Sequence, residues 1–382
     1  MSHRWIDDQG EFDALIARLC TEPRYAMDTE FHRERTYFPQ LALLQLATPT
    51  EGLVLVDPLP LDLSGLRQLF ASPALAVVHA AQQDLDVLTH ACGAVPAHLY
   101  DTQLAAGFVG YGTPSLVSLL QGELKVSAAK GDRLTDWLRR PLTDAQRDYA
   151  AADVAHLLQL HDVLVAQTDA LGRSEWVAEA CEELRTRPVS GTSPDEAWLR
   201  LKDVKNLRPK ARGVAKALAA WRERRAMELN IPVRQVLPDL AILGIAQRAP
   251  STVGELSSAR GVDERHSRGT NAQQILSAVA VGREQETEMR TYDVDDLDRT
   301  LRPAVTLVSA WVSELARRQK VDNTLLATRS DLVALIRGDA NARLRSGWRA
   351  EMLGDQVEQL LQGNAGLTFD REQGLRLIAL GS

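Results

Sequence analysis

Residues Tyr25–Glu30 read YAMDTE and residues Leu41–Ala47 read LALLQLA, and the same kind of apolar run returns in LVLVD (Leu53–Asp57) and LAVVH (Leu75–His79). Each has the length of a strand, and Pro, Gly and charged residues separate them. The four runs predict one sheet. After His79 the apolar spacing turns helical, at Leu85, Leu88 and Ala91 and again at Val154, Leu157, Leu158 and His161 through Val165. The first half of the chain therefore reads as α/β.

Within the first run, Asp28 and Glu30 flank Thr29. Side chains alternate across a strand, so positions i and i+2 leave the same face and the two carboxylates point together. Like charges at that spacing raise each other's pKa, and a bound divalent cation is the usual remedy. Asp84, in HAAQQDLDVL (His79–Leu88), is placed to open a helix just after a strand. Tyr149 and Asp153, in RDYAAADVAHLL (Arg147–Leu158), are spaced i,i+4 and share a helix face. Taken singly, each has an ordinary reading: a common D-x-E, an N-cap, a packed or solvated face.

Outward from these motifs, the chain divides. RPVSGTSP (Arg187–Pro194) is the best linker, and an acidic stretch from Glu284 to Asp298, with seven Asp or Glu, is a second. Strand signals vanish beyond the first linker. Two stretches there share an outline: RP…AWRERRAMELNIP…LPDLAIL from Arg208, and RP…AWVSELARRQKVDN…RSDLVAL from Arg302. The expected division is 1–190 α/β, 195–285 helical and 296–378 a second, degenerate helical copy.

With 382 residues, 45% hydrophobic and 25% charged, the chain can bury more than one core. The net charge of −7 argues against a generally basic nucleic-acid coat, so any RNA contact must be local. Between Trp198 and Arg225, however, ten Lys or Arg stand against Asp203 and Glu223. On an acidic chain such a patch suits phosphate-backbone recognition, and Lys202, Lys205, Arg208, Lys210, Arg212 and Lys216 are its candidates; the plain alternative is a solvated helix face. Cys20, Cys92 and Cys181 form neither a C-x-x-C pair nor a disulfide framework. The polar start MSHRWIDDQGEF and the lack of an 18-residue apolar stretch predict a soluble, cytoplasmic protein with no membrane segment.

Order, spacing and surroundings join the motifs. Through AMDTEFHRERTYFPQLALLQLA, HAAQQDLDVL and TDWLRRPLTDAQRDYAAADVAHLL the sequence resembles the ribonuclease D branch of the DEDD exonuclease superfamily over nearly its whole length. The resemblance implies a ribonuclease H-like mixed sheet with flanking helices. It puts Asp28 and Glu30 on the first motif, Asp84 on the second, and Tyr149 with Asp153 on the third, where Tyr marks the DEDDy subclass. In that family the four carboxylates hold two divalent ions, Mg²⁺ or Mn²⁺ suiting an all-oxygen site. The tyrosine would orient the attacking water. The stretch WLRLKDVKNLRPKARGVAKALAAWRERRAMELNIP (Trp198–Pro232) resembles an HRDC domain, a small helical bundle that accompanies ribonuclease D and often binds nucleic acid.

Beside the carboxylates, His79, Gln82, Arg133 and Trp137 are candidates for substrate contact; a His ending a strand, or Trp137 in a core, is the ordinary alternative. The facing of Phe31 and Gln45 is undecided. The resemblance thus implies a 3′→5′ exoribonuclease acting on RNA, tRNA precursors above all, and nothing in the sequence demands more than a monomer. A DNA exonuclease uses the same metal chemistry, and a non-catalytic RNA-binding scaffold could keep the fold, although the filled set of five residues speaks against it.

Overall fold

The computed structural model describes residues 2–127, 135–188, 193–287 and 297–380. These gather into two compact units: Met1–Glu30 with Leu41–Pro188 and Thr291–Ser382, and Phe31–Gln40 with Val189–Arg290.

The first unit is built on a six-stranded sheet in the order β1-β4-β3-β2-β5-β6. Its strands are β1 (Arg4–Ile6), β2 (Arg24–His32), β3 (Gln40–Thr48), β4 (Gly52–Val56), β5 (Leu75–Val78) and β6 (Leu99–Asp101). The four sequence-expected runs are β2 to β5. Strand β4 runs antiparallel to β3, with Leu55 opposite Gln45, whereas β5 is parallel to β2, with Val77 beside Ala26. The edge strands β1 and β6 have three residues each, too few for a period to show.

Both sheet faces are covered, which is why β3 is apolar almost throughout. Over one face lie α1 (Gln9–Leu19), α2 (Leu66–Ala71) and α3 (Gln82–Cys92), whose Phe12, Ile16, Leu69 and Leu88 pack on Met27, Leu44 and Val78. Beyond β6 follow α4 (Thr102–Gly107) and α5 (Leu116–Leu119). On the other face lie α6 (Asp144–Ala155) and α7 (Leu157–Ala170), with Ala150 and Val154 over Leu43 and Ala26 respectively, before α8 (Ser174–Arg185). Helix α6 opens on a capping box, Thr143 with Gln146. The helical run expected around Val154 breaks at His156, whose φ of −119° and ψ of 4° leave the helix and end α6.

The second unit is helical: α9 (Pro209–Leu229), α10 (Val233–Val236), α11 (Asp239–Arg248), α12 (Val253–Ser257) and α13 (Gly269–Arg283), around Leu218, Ile242, Ile245 and Ile275. The segment Phe31–Gln40 belongs to it: the Tyr37 hydroxyl donates to Glu223 at 2.7 Å, and the Phe38 N–H donates to the Asn230 side chain at 3.0 Å.

The last segment holds α14 (Arg302–Gln319), α15 (Asn323–Leu326), α16 (Arg329–Arg337), α17 (Gly347–Leu353) and α18 (Gln356–Leu361). It is not all-α, as the sequence reading expected. It ends in an antiparallel hairpin, β7 (Ala365–Asp370) with β8 (Gly374–Ala379), turned at Gly374 with φ 72°. Only a small cluster, Leu297, Val305 and Val333, is its own; most of its buried residues join the core of the first unit. Trp348 is 1% exposed, edge-on to Phe108 at 4.8 Å and stacked on Trp176 at 5.8 Å, so α17 completes the core of α4 and α8. Arginines of this segment turn inward: Arg343 and Arg349 both donate to Glu183 of α8, at 2.9 and 3.0 Å. All three cysteines are free, and among the described residues no helix is long and apolar enough to cross a membrane.

Because Trp348 fills this shared core, Trp348→Ala should lower the stability of the first unit by about 3–5 kcal/mol. Urea unfolding followed by far-UV circular dichroism checks it; a loss under about 1 kcal/mol would show that α17 does not contribute to that core.

Candidate active site

Asp28 and Glu30 sit in the second half of β2, the central strand, on the face of Ala26, which packs with Val154 of α6. Thr29 between them is buried and turns the other way, where its hydroxyl donates to Asp84. Asp84 lies in the first turn of α3 and is 8% exposed; Ala81 holds the N-cap position, with no side-chain cap hydrogen bond, so the ordinary N-cap reading of Asp84 does not apply. Asp153 and Tyr149 share a face of α6, as their spacing requires.

These carboxylates feel one another's charge. Burial pushes Asp28 well above the ordinary carboxylate range, and the charges of Asp84, Asp153 and Glu30 push the same way against one hydrogen bond from the Thr29 backbone. Glu30 is pushed up to about 8, by burial and then by Asp153 and Asp84. Asp84 is pushed up to about 6 by burial, and hydrogen bonds from Thr29 hold it lower than its neighbours. Four carboxylates from β2, α3 and α6 thus act on one another inside the protein. This is a cluster short of positive charge.

The scaffold fixes the elements that carry them. Asp101, 1% exposed, caps α4 by accepting from the Gln103 N–H at 2.8 Å, and it also accepts from the N–H groups of Ala80 and Ala81 at 3.0 and 2.9 Å. It thereby ties down the turn where Ala80 takes φ 58°, immediately before α3 and Asp84. Arg140 donates to both oxygens of Asp57, at 2.6 and 2.7 Å, and to the carbonyls of Ala42 and Trp137 at 2.6 and 2.7 Å, which pins the approach to α6 onto β3 and β4.

The flanking candidates fare unequally. Trp137 is 5% exposed, packed with Leu43, Leu55 and Ala150 and stacked on Tyr149 at 6.1 Å, so it supports the tyrosine and has no face left for a base. His79 is half-buried, with Nδ1 at 2.9 Å from the Thr102 hydroxyl, and burial pushes its pKa below the usual value, keeping the ring neutral. Gln82 accepts from Arg187 at 2.8 Å. Phe31 lies under the Arg33 guanidinium at 5.1 Å. Arg133 lies outside the described residues. In the second unit Lys202, Lys205, Arg208 and Lys210 are exposed and Arg212 and Lys216 half-buried, whereas Arg222 is buried against the Leu237 carbonyl and Asp239.

Gln45 has a clearer place than its sequence allowed. It stands opposite Leu55, whose side chain packs with Ala150 and Ala151, and is fully buried with neither amide atom hydrogen-bonded. A buried orphan amide therefore lies beneath the helix that carries Tyr149 and Asp153.

The donor set fits a hard divalent cation: every donor is a carboxylate oxygen, and the cluster's own charge is what a cation would neutralise. As the side chains stand, no three carboxylates, histidines or cysteines among the described residues are arranged to hold an ion. The site is charged for a metal, and its rotamers would have to close on one.

Known proteins are similar to this chain over nearly its whole length. A family model described as a 3′-5′ exonuclease matches residues 3–169, and one for the HRDC domain matches residues 211–279. The ribonuclease D of Jannaschia sp. (strain CCS1) is 36% identical over 95% of this chain and 96% of its own, and that of Acidiphilium cryptum is 36% identical over 93% and 92%. The crystal structure of Escherichia coli RNase D, an exoribonuclease involved in structured RNA processing, superposes with a TM-score of 0.83 at 30% identity, covering 95% of this chain and 99% of that one. The chain belongs to the ribonuclease D family, a 3′–5′ exoribonuclease in which a mixed α/β catalytic domain is joined to an HRDC domain.

Proposed function

We propose that Asp28, Glu30, Asp84 and Asp153 hold two divalent ions, Mg²⁺ or Mn²⁺, and that the enzyme trims single-stranded 3′ tails of structured RNAs, tRNA precursors above all. The observation that carries this reading is that β2, α3 and α6 bring four carboxylates together, where burial first, and then the charges of their neighbours, push Asp28 and Glu30 above the ordinary carboxylate range. When bound, the ions supply charge stabilisation for the attacking and leaving oxygens of the phosphodiester. Water adds to the terminal phosphorus as the 3′ oxygen of the preceding nucleotide leaves, so the product is a nucleoside 5′-monophosphate.

The remaining roles fall to the chain's own groups. Tyr149, stacked on buried Trp137, orients the water; a phenol with an ordinary pKa of about 10 is a poor base, so orientation is its task. Thr29 fixes the Asp84 carboxylate beside β2 through its hydroxyl. By role, residues 1–190 carry the chemistry, 195–285 hold RNA through Lys202, Lys205, Arg208, Lys210, Arg212 and Lys216, and 296–378 form a degenerate HRDC-like copy. The protein works as a monomer in the cytoplasm.

Two measurements test this. A tRNA with a 3′ tail and a matched DNA strand, each labelled at the 5′ end, are incubated with Mg²⁺, Mn²⁺ or EDTA. The parent should shorten the RNA stepwise only with metal, Asp28→Asn or Asp153→Asn should cost at least about 1,000-fold in rate, and Tyr149→Phe roughly 100-fold. Either Asn variant cutting at the parent rate would overturn the assignment.

The second reads stability without turnover. Asp84 and Glu30 have folded-state pKa values above their unfolded ones, so their contribution is full below about pH 4 and is lost as pH rises through about 6 and then about 8. In EDTA the melting temperature should fall by about 5 °C between pH 5.5 and 8.5. Added Mn²⁺ should restore it at pH 8.5 and do little at pH 5.5, and Glu30→Gln should flatten both effects. A metal-induced rise of equal size at the two pH values sinks the proposal.

A further inference from the structure

Between α9 and α13 of the second unit lies an open groove of about 530 Å³. That size falls in the range of roughly 300–1,000 Å³ usual for small-ligand sites. The groove exists because two features of the helix pair oppose each other. At one end the backbones touch: a Cβ on Gly213 would stand 2.6 Å from the Gly282 carbonyl oxygen, and one on Gly282 would stand 2.5 Å from the Val214 Cα. Farther along, the facing positions are Ala217, Ala220 and Ala278, which are too small to fill the space between the helices. A floor of methyl groups results.

The walls are of another kind. Trp221, half-buried, lines the groove, and its indole N–H donates to the Gln274 side chain at 3.4 Å, which sets the plane of the ring. Lys216, Arg224 and Arg225 bring three cations to the same lining, against Asp195 and Glu228. Glu228 accepts from Arg225 at 2.8 Å, so those two charges answer each other and Lys216 with Arg224 set the sign of the rim. An apolar floor, an aromatic face and a cationic rim are the three parts that unstacked nucleotides require.

We propose that this groove takes one unstacked nucleobase of a single-stranded RNA segment, its face against the Trp221 indole and its flanking phosphates toward Lys216 and Arg224. The inference rests on RNA being the substrate class of this chain. It goes beyond the exposed lysines and arginines upstream on two counts: they follow a phosphate backbone without regard to bases, whereas the groove requires a base and a strand free to present one. It makes the second unit a sensor of single-strandedness.

The test is a fluorescence-anisotropy titration of the full chain, in EDTA, with an unstructured RNA of about ten nucleotides and with an abasic oligomer of equal length. EDTA suppresses cleavage, so the titration reads the groove whether or not the catalytic reading holds, and failure of either is seen separately. The parent should prefer the RNA over the abasic oligomer. Trp221→Ala should weaken RNA binding about 5- to 100-fold and leave the abasic oligomer unchanged, while Trp221→Phe, which keeps a stacking face, should bind much as the parent does. Lys216→Ala with Arg224→Ala should weaken both oligomers and lower the salt dependence. Should Trp221→Ala fail to fold, the parent's preference and the double variant still decide. Parent-like RNA binding by Trp221→Ala overturns the proposal, as does equal affinity of the parent for the RNA, the abasic oligomer and an oligoglutamate.

Discussion

Four carboxylates held inside a protein repel one another, and the first unit is organised around keeping them together. Desolvation and like charge both favour their protonated forms, so the cluster opposes folding at neutral pH unless something neutralises it. The scaffold answers with rigidity. Glu30 and Asp28 are placed on the central strand, where neighbours on both sides leave little freedom, and α3 and α6 bring in Asp84 and Asp153 from opposite faces of the sheet. Asp101 under the Ala80 turn and Arg140 across Asp57 are themselves buried or half-buried polar groups, saturated by hydrogen bonds, and each fixes the approach to one of those helices. A looser frame would let the carboxylates part.

That constraint explains why the chemistry was easier to read from the sequence than the packing. A D-x-E on a strand and a Y-x-x-x-D on a helix are local patterns, and the backbone periods alone decide that their members face the same way. Thr29 and Asp101 act at the site through partners 55 and about 20 residues away, and no local pattern marks them. Trp137 shows the same limit from the other side. Its place beside a motif made it a candidate for substrate contact, but the indole lies in the core, stacked on Tyr149, and the nearby Arg140 is engaged by Asp57. Gln45 sat in an apolar run that gave no hint of its facing; only the register against Leu55 settles which side of the sheet its amide occupies.

The same reasoning separates the two helical copies. Their sequences share an outline, but burial sorts their arginines differently. In the second unit Arg222 alone of the basic run is fully buried, while Lys202, Lys205, Arg208 and Lys210 stay in solvent. In the last segment Arg349 is 2% exposed and bound to Glu183, and Trp348 beside it fills a core shared with α4 and α8. An outline that in one place makes an independent bundle serves in the other to thicken the catalytic unit. The hairpin β7–β8, whose GLTFD and GLRLI runs alternate like strands, belongs to that second role.

Charge carries this contrast into function. A chain with a net charge of −7 repels RNA on average, but screening at physiological salt reduces that repulsion beyond about 8 Å, so contact depends on the charges within reach of the phosphates. The carboxylate cluster is the worst place for RNA to arrive unaided, because its charge would repel an approaching phosphate. The exposed cations of the second unit lie on a body separate from that cluster, which, on the function proposed above, leaves one surface to draw the polymer in and another to cut it. Placing cations among the carboxylates would ease RNA entry and remove the very charge that recruits the metal, so the two tasks favour division between units.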